Sequence, residues 1–230
     1  MPPQTLTVEC AGETLILHPE RALEWSARST LFVADPHFGK DAHFRDAGIA
    51  LPEGTLDEDL ARLDALLART GATRLVMLGD VVHARPGRGI GWVDRVGAWR
   101  SRHADLEWLA IAGNHDAGFA PPANWRLDWH RDLLVEAPFV FAHEPRHHPA
   151  GRVLAGHWHP VARLRQGRDS LRLPVFAFGP DGVVLPAFGG LTGGAPVDNP
   201  ALHCFAAVED RVIALPPAMT VPTGTEESLE

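Results

Sequence analysis

The 230-residue chain has no tyrosine, two cysteines and, in Lys40, a single lysine. Cys10 and Cys204 cannot make a disulfide framework, and their spacing fits no zinc motif. A reducing, cytoplasmic setting is therefore expected. No run approaches the roughly 18 apolar residues of a membrane span, so no membrane association is expected. The opening MPPQTLTVECAGE lacks a basic region followed by an apolar stretch, so no secretory signal is expected there. Positive charge is also scarce. Lys and Arg total 21 against 29 Asp and Glu, a formal net charge of -8. That excludes a molecule-wide basic field for nucleic acid, although local arginine groups can still hold a phosphate backbone.

What is present reads as one α/β domain over residues 1–216, followed by a Pro-, Thr-, Gly- and Glu-rich tail, 217–230, of disordered character. TLTVEC (5–10) and TLILH (14–18) read as paired strands around Ala11-Gly12. Leu31 to Ala34 reads as a buried strand ending at Asp35. Leu56, Leu60, Leu63 and Leu67 then recur at helical spacing behind a Thr55/Glu58 capping box, and Gly71 ends that helix. The cycle repeats with a strand at Arg74–Leu78, a helix marked by Trp92, Val93, Val96 and Trp99, and a strand at Glu107–Ile111. Beyond about residue 130 strands dominate. They are expected at 139–142, 153–155 and near 172–178, 183–187, 202–208 and 211–215.

Ligand-type residues stand at almost every strand end: Asp35 and His37, Asp80, Asn114 and His115, His143, and His157 and His159. Sites in open α/β sheets form at carboxyl ends of strands, so residues far apart in sequence can meet in one crevice. Carboxylate oxygen and imidazole nitrogen suit mid-sized divalent metals. Asp35-Pro36-His37 and His157-Trp158-His159 each place two donors two positions apart. In an extended chain both would point the same way. Gly79 would allow the chain to approach closely at Asp80, a carboxylate able to bridge two ions. Any one of these residues alone reads more simply as a cap, a turn or a surface histidine, and His130, His147 and His148 are read that way. The ordered set is the signal.

That ordered set, Asp35-x-His37, Gly79-Asp80, Gly113-Asn114-His115-Asp116, His143 and Gly156-His157-x-His159, resembles the calcineurin-like metallophosphoesterases across roughly residues 28–190. HPERALEW, ADPHFGKDAHFRDAGI, HEPR and LPAFGGLTGG further resemble one subgroup, the bacterial ligase-associated DNA-damage-response phosphoesterases. The resemblance implies a four-layer α/β/β/α sandwich with two central mixed sheets. It implies that Asp35, His37 and His159 hold a first metal, that Asp80 bridges, and that Asn114, His143 and His157 hold a second. His115 would be the catalytic histidine beside the leaving group and Asp116 its orienting partner. Manganese is the expected ion, with iron, zinc or magnesium as alternatives. Pro36 stands where the commonest first motif has leucine; it is no ligand, so only loop geometry is affected.

The implied activity is two-metal phosphodiester hydrolysis by water activated on the ions, as a DNA endonuclease in repair, with a DNA ligase and a helicase as partners. Arg85 and Arg88, in the Gly/Pro loop ARPGRGIG after Asp80, are the candidate phosphate contacts. Lys40, His43 and Arg45 could line the same cleft. His83, three residues past Asp80, reads equally as a site neighbour or a loop residue. A small-molecule phosphatase or nucleotide phosphodiesterase with the same centre is the alternative, favoured by the acidic charge. A metal-binding scaffold without catalysis is a remote third reading, since no ligand or catalytic histidine is missing. The oligomeric state is left open, a homodimer included.

Overall fold

The computed structural model describes residues 3–49, 54–83, 91–166 and 169–216. Its first sheet has seven strands in chain order: β1 (Leu6–Cys10), β2 (Glu13–His18), β3 (Ala22–Trp25), β4 (Thr30–Ala34), β5 (Arg74–Leu78), β6 (Glu107–Ile111) and β7 (Asp128–His130). The expected hairpin joins β1 to β2. Ala11 and Gly12 both take positive φ, 55° and 80°, the backbone of the tight turn that matches strand twist. Pairing is antiparallel from β1 to β4 and parallel from β4 to β7.

Parallel neighbours need crossovers, and helices provide them: α1 (Lys40–Asp46) and α2 (Thr55–Thr70) between β4 and β5, and α3 (Gly91–Arg102) between β5 and β6. Leu56, Leu60, Leu63, Leu66 and Leu67 are all buried, which gives α2 its apolar stripe. Gly71, at φ 66°, closes the helix as expected. The capping box does not form. Gly54 is the N-cap, no side chain caps the helix, and Thr55 is already inside it. The cap position takes a left-handed backbone, φ 98°, that glycine tolerates and threonine does not.

The second sheet comprises β8 (Leu134–Glu136), β9 (Phe139–Phe141), β10 (Arg152–Ala155), β11 (Pro160–Gln166), β12 (Asp169–Gly179), β13 (Gly182–Val184), β14 (Ala195–Pro196), β15 (His203–Val208) and β16 (Arg211–Ala214). It runs β14-β11-β12-β13-β10-β9-β8, with β15 on β12 and β16 beyond. Strands β9, β10 and β13 are parallel and the others mostly antiparallel. Short β3, β7, β8 and β14, and the whole of β11, add to the strands that periodicity alone suggests.

Alternation along the strands builds two separate cores. Leu31, Val33, Leu75 and Met77 face the helices, with Leu63, Trp99 and Trp125. Phe32, Ala34, Val76 and Leu78 face the second sheet and meet Phe139, Phe141, Leu154 and Phe176. Edge-on ring pairs cross between the sheets, Phe32 to Phe141 at 4.9 Å and Trp25 to Phe139 at 5.0 Å. Each such pair adds about 0.5–1.5 kcal/mol beyond area burial. The result is the α/β sandwich with two mixed central sheets. Its described α-helices all precede β6 and lie against the first sheet. On the second sheet Val197, Leu202 and Leu215 pack over a further cluster around Val175 and Ala206. No helix among the described residues is long and apolar enough to cross a membrane.

Candidate metal centre

The two sheets meet at one end, and the donor residues lie there. After β4 and β5 the chains keep pairing as loops. His37 N donates to Asp80 O (3.0 Å), Phe38 N to Val81 O (2.8 Å) and His83 N to Phe38 O (3.1 Å). This ladder carries His37 and Asp80 past the sheet together. From the second sheet, His157 N donates to Asp35 Oδ2 (2.7 Å), which locks the fifth motif onto the first.

Extended backbone was the expectation for both two-apart pairs, and the structure corrects it. Asp35 and His37 have φ 47° and 50°; His157 and His159 have φ 69° and 46°; Asp80 has φ 35°. Non-glycine residues in the left-handed region cost about 1–3 kcal/mol each, and such strain collects at functional sites. Glycines admit the donors to one another. A Cβ on Gly79 would strike the His143 ring, one on Gly113 the Asp80 carboxylate, and one on Gly156 the Asp35 carboxylate. The glycine of each motif therefore makes room for the donor of another.

The donor atoms form three adjoining groups: His37, Asp80 and His159; Asp80, His143 and His157, which shares Asp80 with the first; and His37, His83 and His115, which shares His37 with it. In the first, His37 Nε2 lies 3.9 Å from Asp80 Oδ2 and His159 Nε2 lies 3.3 Å from Asp35 Oδ2. In the second, His143 Nε2 lies 2.9 Å from both Asn114 Oδ1 and His157 Nδ1, and 3.7 Å from Asp80 Oδ1. Asp35 is 0% exposed, Asp80 2% and His37 3%, with no Lys or Arg salt-bridging either carboxylate among the described residues. Buried carboxylates without a cationic partner cost several kcal/mol. Asp35 Oδ1, both ring nitrogens of His37, His143 Nδ1 and His159 Nε2 are buried with no hydrogen-bond partner.

Burial, helped by the Lys40 charge, pushes His37 down to about 2, and burial also lowers His143. These imidazoles stay neutral with lone pairs free, the form that binds metal. Asp80 is raised, first by burial, against the His115 amide that donates to its Oδ1 at 2.9 Å. Unpartnered oxygen and neutral nitrogen acceptors, clustered and shielded, fit divalent cations. Asp35, His37, Asp80 and His159 can hold one, and Asp80, Asn114, His143 and His157 a second.

His115 is exposed, and its Nδ1 lies 2.9 Å from the His83 carbonyl oxygen. A carbonyl only accepts, so Nδ1 carries the proton and Nε2 is left for chemistry. The expectation that Asp116 orients the His115 ring is corrected. The Asp116 carboxylate accepts from the amides of Gly113 (2.7 Å), Val82 (2.9 Å) and Val81 (3.1 Å), so it braces the loops carrying Asp80 and His115. Burial raises it to about 6.

His83 is the residue the sequence left undecided. Its ring stacks on His115 at 5.1 Å and meets His37 at 5.5 Å and His43 at 5.0 Å. Burial lowers it to about 4. The signal was its spacing from Asp80, which a helix cap would share. His130 pairs with Asp128 and His147 with Asp181, outside the donor groups. Arg85 and Arg88 lie outside the described residues. The LPAFGGLTGG segment backs the first motif: Phe188 N donates to Ala34 O (2.7 Å), and Arg62 covers the Phe188 ring at 4.0 Å.

Two packed mixed sheets thus present His and Asp donors at a shared end, the make-up of a divalent-metal centre. Among solved structures, the nuclease MPE of Pseudomonas putida is 39% identical to this chain; the match covers 92% of this chain and 100% of that one, at a TM-score of 0.80. The chain belongs to the metallophosphoesterase family and is a metal-dependent phosphoesterase. More distant similarity extends to the E. coli phosphoesterase YfcE, at 17% identity over 80% of this chain and 96% of that one, with a TM-score of 0.41. AQ665 of Aquifex aeolicus, a protein of unknown function, is 15% identical over 61% and 81%, at 0.38. No family model and no curated protein matches the chain.

Proposed function

We propose that this chain is a DNA endonuclease that hydrolyses phosphodiesters without strong sequence preference, acting in cytoplasmic DNA repair beside a DNA ligase and a helicase. The observation that carries the reading is 39% identity, over 92% of the chain, to a nuclease. Manganese is the proposed ion, since the donors are oxygen and imidazole nitrogen with no thiolate among them. Asp35, His37, Asp80 and His159 would hold one divalent ion and Asp80, Asn114, His143 and His157 a second, and bound there the ions would supply an acidified water and charge to offset the phosphate oxygens.

The chain's own residues do the rest. Asp80, common to the two donor groups that contain a carboxylate, fixes their separation. His115, with Nδ1–H held by the His83 carbonyl, presents Nε2 to the leaving oxygen and, when protonated there, hands it a proton. Asp116 holds the loops that carry Asp80 and His115 against one another. Arg85 and Arg88 are proposed to grip neighbouring phosphates rather than base edges.

A net charge of -8 favours a second reading, a small-molecule phosphatase or nucleotide phosphodiesterase with the same centre. One experiment separates them. Labelled single-stranded, nicked and blunt duplex DNA, a nucleotide and a simple phosphoester are offered with manganese across a salt series. The enzymes are wild type, His115→Ala and an Arg85→Ala/Arg88→Ala double variant. The nuclease reading expects wild type to cut DNA and His115→Ala to retain metal but lose about 10²–10⁴-fold in turnover. It expects the arginine variant to need more DNA and to show a shallower salt dependence. Rapid hydrolysis of the small esters with no DNA cut would replace it with the second reading.

A further inference from the structure

We propose that Trp158 is a stacking platform for an unpaired nucleobase next to the phosphate held at the metal centre. The proposal rests on the nuclease reading and assigns a substrate contact that the donor motifs do not contain. Five of the seven tryptophans, Trp25, Trp92, Trp99, Trp108 and Trp125, are buried in the cores, whereas Trp158 is 48% exposed. No ring of the described residues stacks on it, and its indole nitrogen makes no hydrogen bond to them. A side chain with so little packing contributes little to the fold, yet it is the largest of the twenty and stands between two non-glycine residues of left-handed backbone.

Its place explains the exposure. Trp158 lies between His157 and His159, both at positive φ, 69° and 46°, and its amide donates to Gly156 O at 2.8 Å. The flanking imidazoles are both committed to the donor groups, at His143 Nε2 (2.9 Å) and Asp35 Oδ2 (3.3 Å). The turn that commits them leaves the indole exposed to solvent, one residue from each donor. From His159 a strip of rings then crosses the site: His159 to His37 at 5.4 Å, His37 to His83 at 5.5 Å, and His83 to His43 at 5.0 Å. It ends at exposed His43 and half-buried Phe44, with Lys40 three residues before His43 on α1.

A nucleotide whose phosphate meets the donor residues has a neighbouring base within reach of the indole, which lies one residue from both His157 and His159. An indole face takes any base, in keeping with hydrolysis without sequence preference. A base inside a duplex already has both faces covered, so the contact selects unpaired nucleotides. An indole one residue from each of two metal donors would thus set substrate structure while the centre sets the chemistry.

The test reads binding directly. Anisotropy of a labelled oligothymidylate, and of an equally long strand of abasic residues, is measured with full-length wild type, Trp158→Ala and Trp158→Phe. Trp158→Ala should weaken oligothymidylate binding about ten- to a hundredfold, the usual worth of one stacked base. Trp158→Phe should recover most of it. The abasic strand should bind all three proteins equally and weakly. Equal oligothymidylate affinity of Trp158→Ala and wild type overturns the proposal alone. So does an equal loss on the abasic strand, which would mark a backbone or folding effect. So does a dimer that dissociates on Trp158→Ala with DNA binding unchanged, which would make the indole a contact between copies. Failure of wild type to bind or cut any DNA, with simple phosphoesters hydrolysed, overturns both the proposal and the nuclease reading beneath it.

Discussion

The first sheet brings to the centre two carboxylates, Asp35 and Asp80, together with His37, Asn114 and His115, all past the carboxyl ends of the neighbouring parallel strands β4, β5 and β6. The second sheet brings only imidazoles, His143 after β9 and His157 and His159 after β10, also neighbouring parallel strands. Neither set is a site by itself. Two bare carboxylates side by side repel, and three imidazoles bring no anionic oxygen to a dication. Joined, they give anionic and neutral donors around two adjoining points. The contact between the sheets is also the contact between the donor sets, so the apolar interior of Phe32, Phe141 and Leu154 sets the spacing of the polar end.

The sharpest way to break this comparison is Asp80→Ala, because its carboxylate belongs to two of the donor groups. Metal content should fall for both ions and turnover should drop below detection. His157→Ala should weaken one ion only. Metal analysis of the two purified variants decides: equal metal content in both would overturn the bridging role proposed for Asp80.

A smaller effect is expected from Gly79→Ala. The new methyl strikes the His143 ring at a residue with φ 81°, pressing a first-sheet loop against a second-sheet donor. Overpacking and backbone strain together should cost about 1–3 kcal/mol, read as a lower urea midpoint. Gly12→Ala, also at positive φ but with open space around it, should cost less; equal losses would mean that strain alone, without the clash between sheets, accounts for Gly79.

The smallest effect concerns protons in the metal-free protein. His37 is held at about 2 in the folded chain against an ordinary 6.5, chiefly by burial. As pH falls through 6.5 the unfolded chain takes up this proton and the folded chain does not. The stability His37 contributes is therefore present above about 6.5 and lost below it. Between pH 7.5 and 5.5 the loss is about 1.4 kcal/mol. Chelator-treated wild type should lose that much relative to His37→Asn, measured by urea unfolding at the two pH values. Parallel pH profiles of the two proteins would show that His37 takes up its proton as freely folded as unfolded.

Much of this protein was legible in the chain. The hairpin at Ala11-Gly12, the α2 stripe with its Gly71 stop, and the strands ending at Asp35, Asp80 and Gly113 follow from local periodicity and turn chemistry, which act over a few residues. The donor set was legible because it falls at strand ends in a recognisable order. Thr55 misled because a cap motif describes side chains, while the backbone at Gly54 had already taken the cap position.

Other features depended on contacts between residues distant in sequence. Residue types determined which atoms could bind a metal. Only the packing of the sheets decided that Asp35 accepts from His157, 122 positions later, and that His37 and His159 reach the centre from left-handed rather than extended backbone. Asp116 was tied to the loop amides, and His83 to His115, by two loops that lie 32 or more residues apart in the chain. No window of sequence contains those distances. They arise from the burial of two sheets against each other, which is collective and non-directional, and the polar donors at its edge take the positions that this packing leaves them.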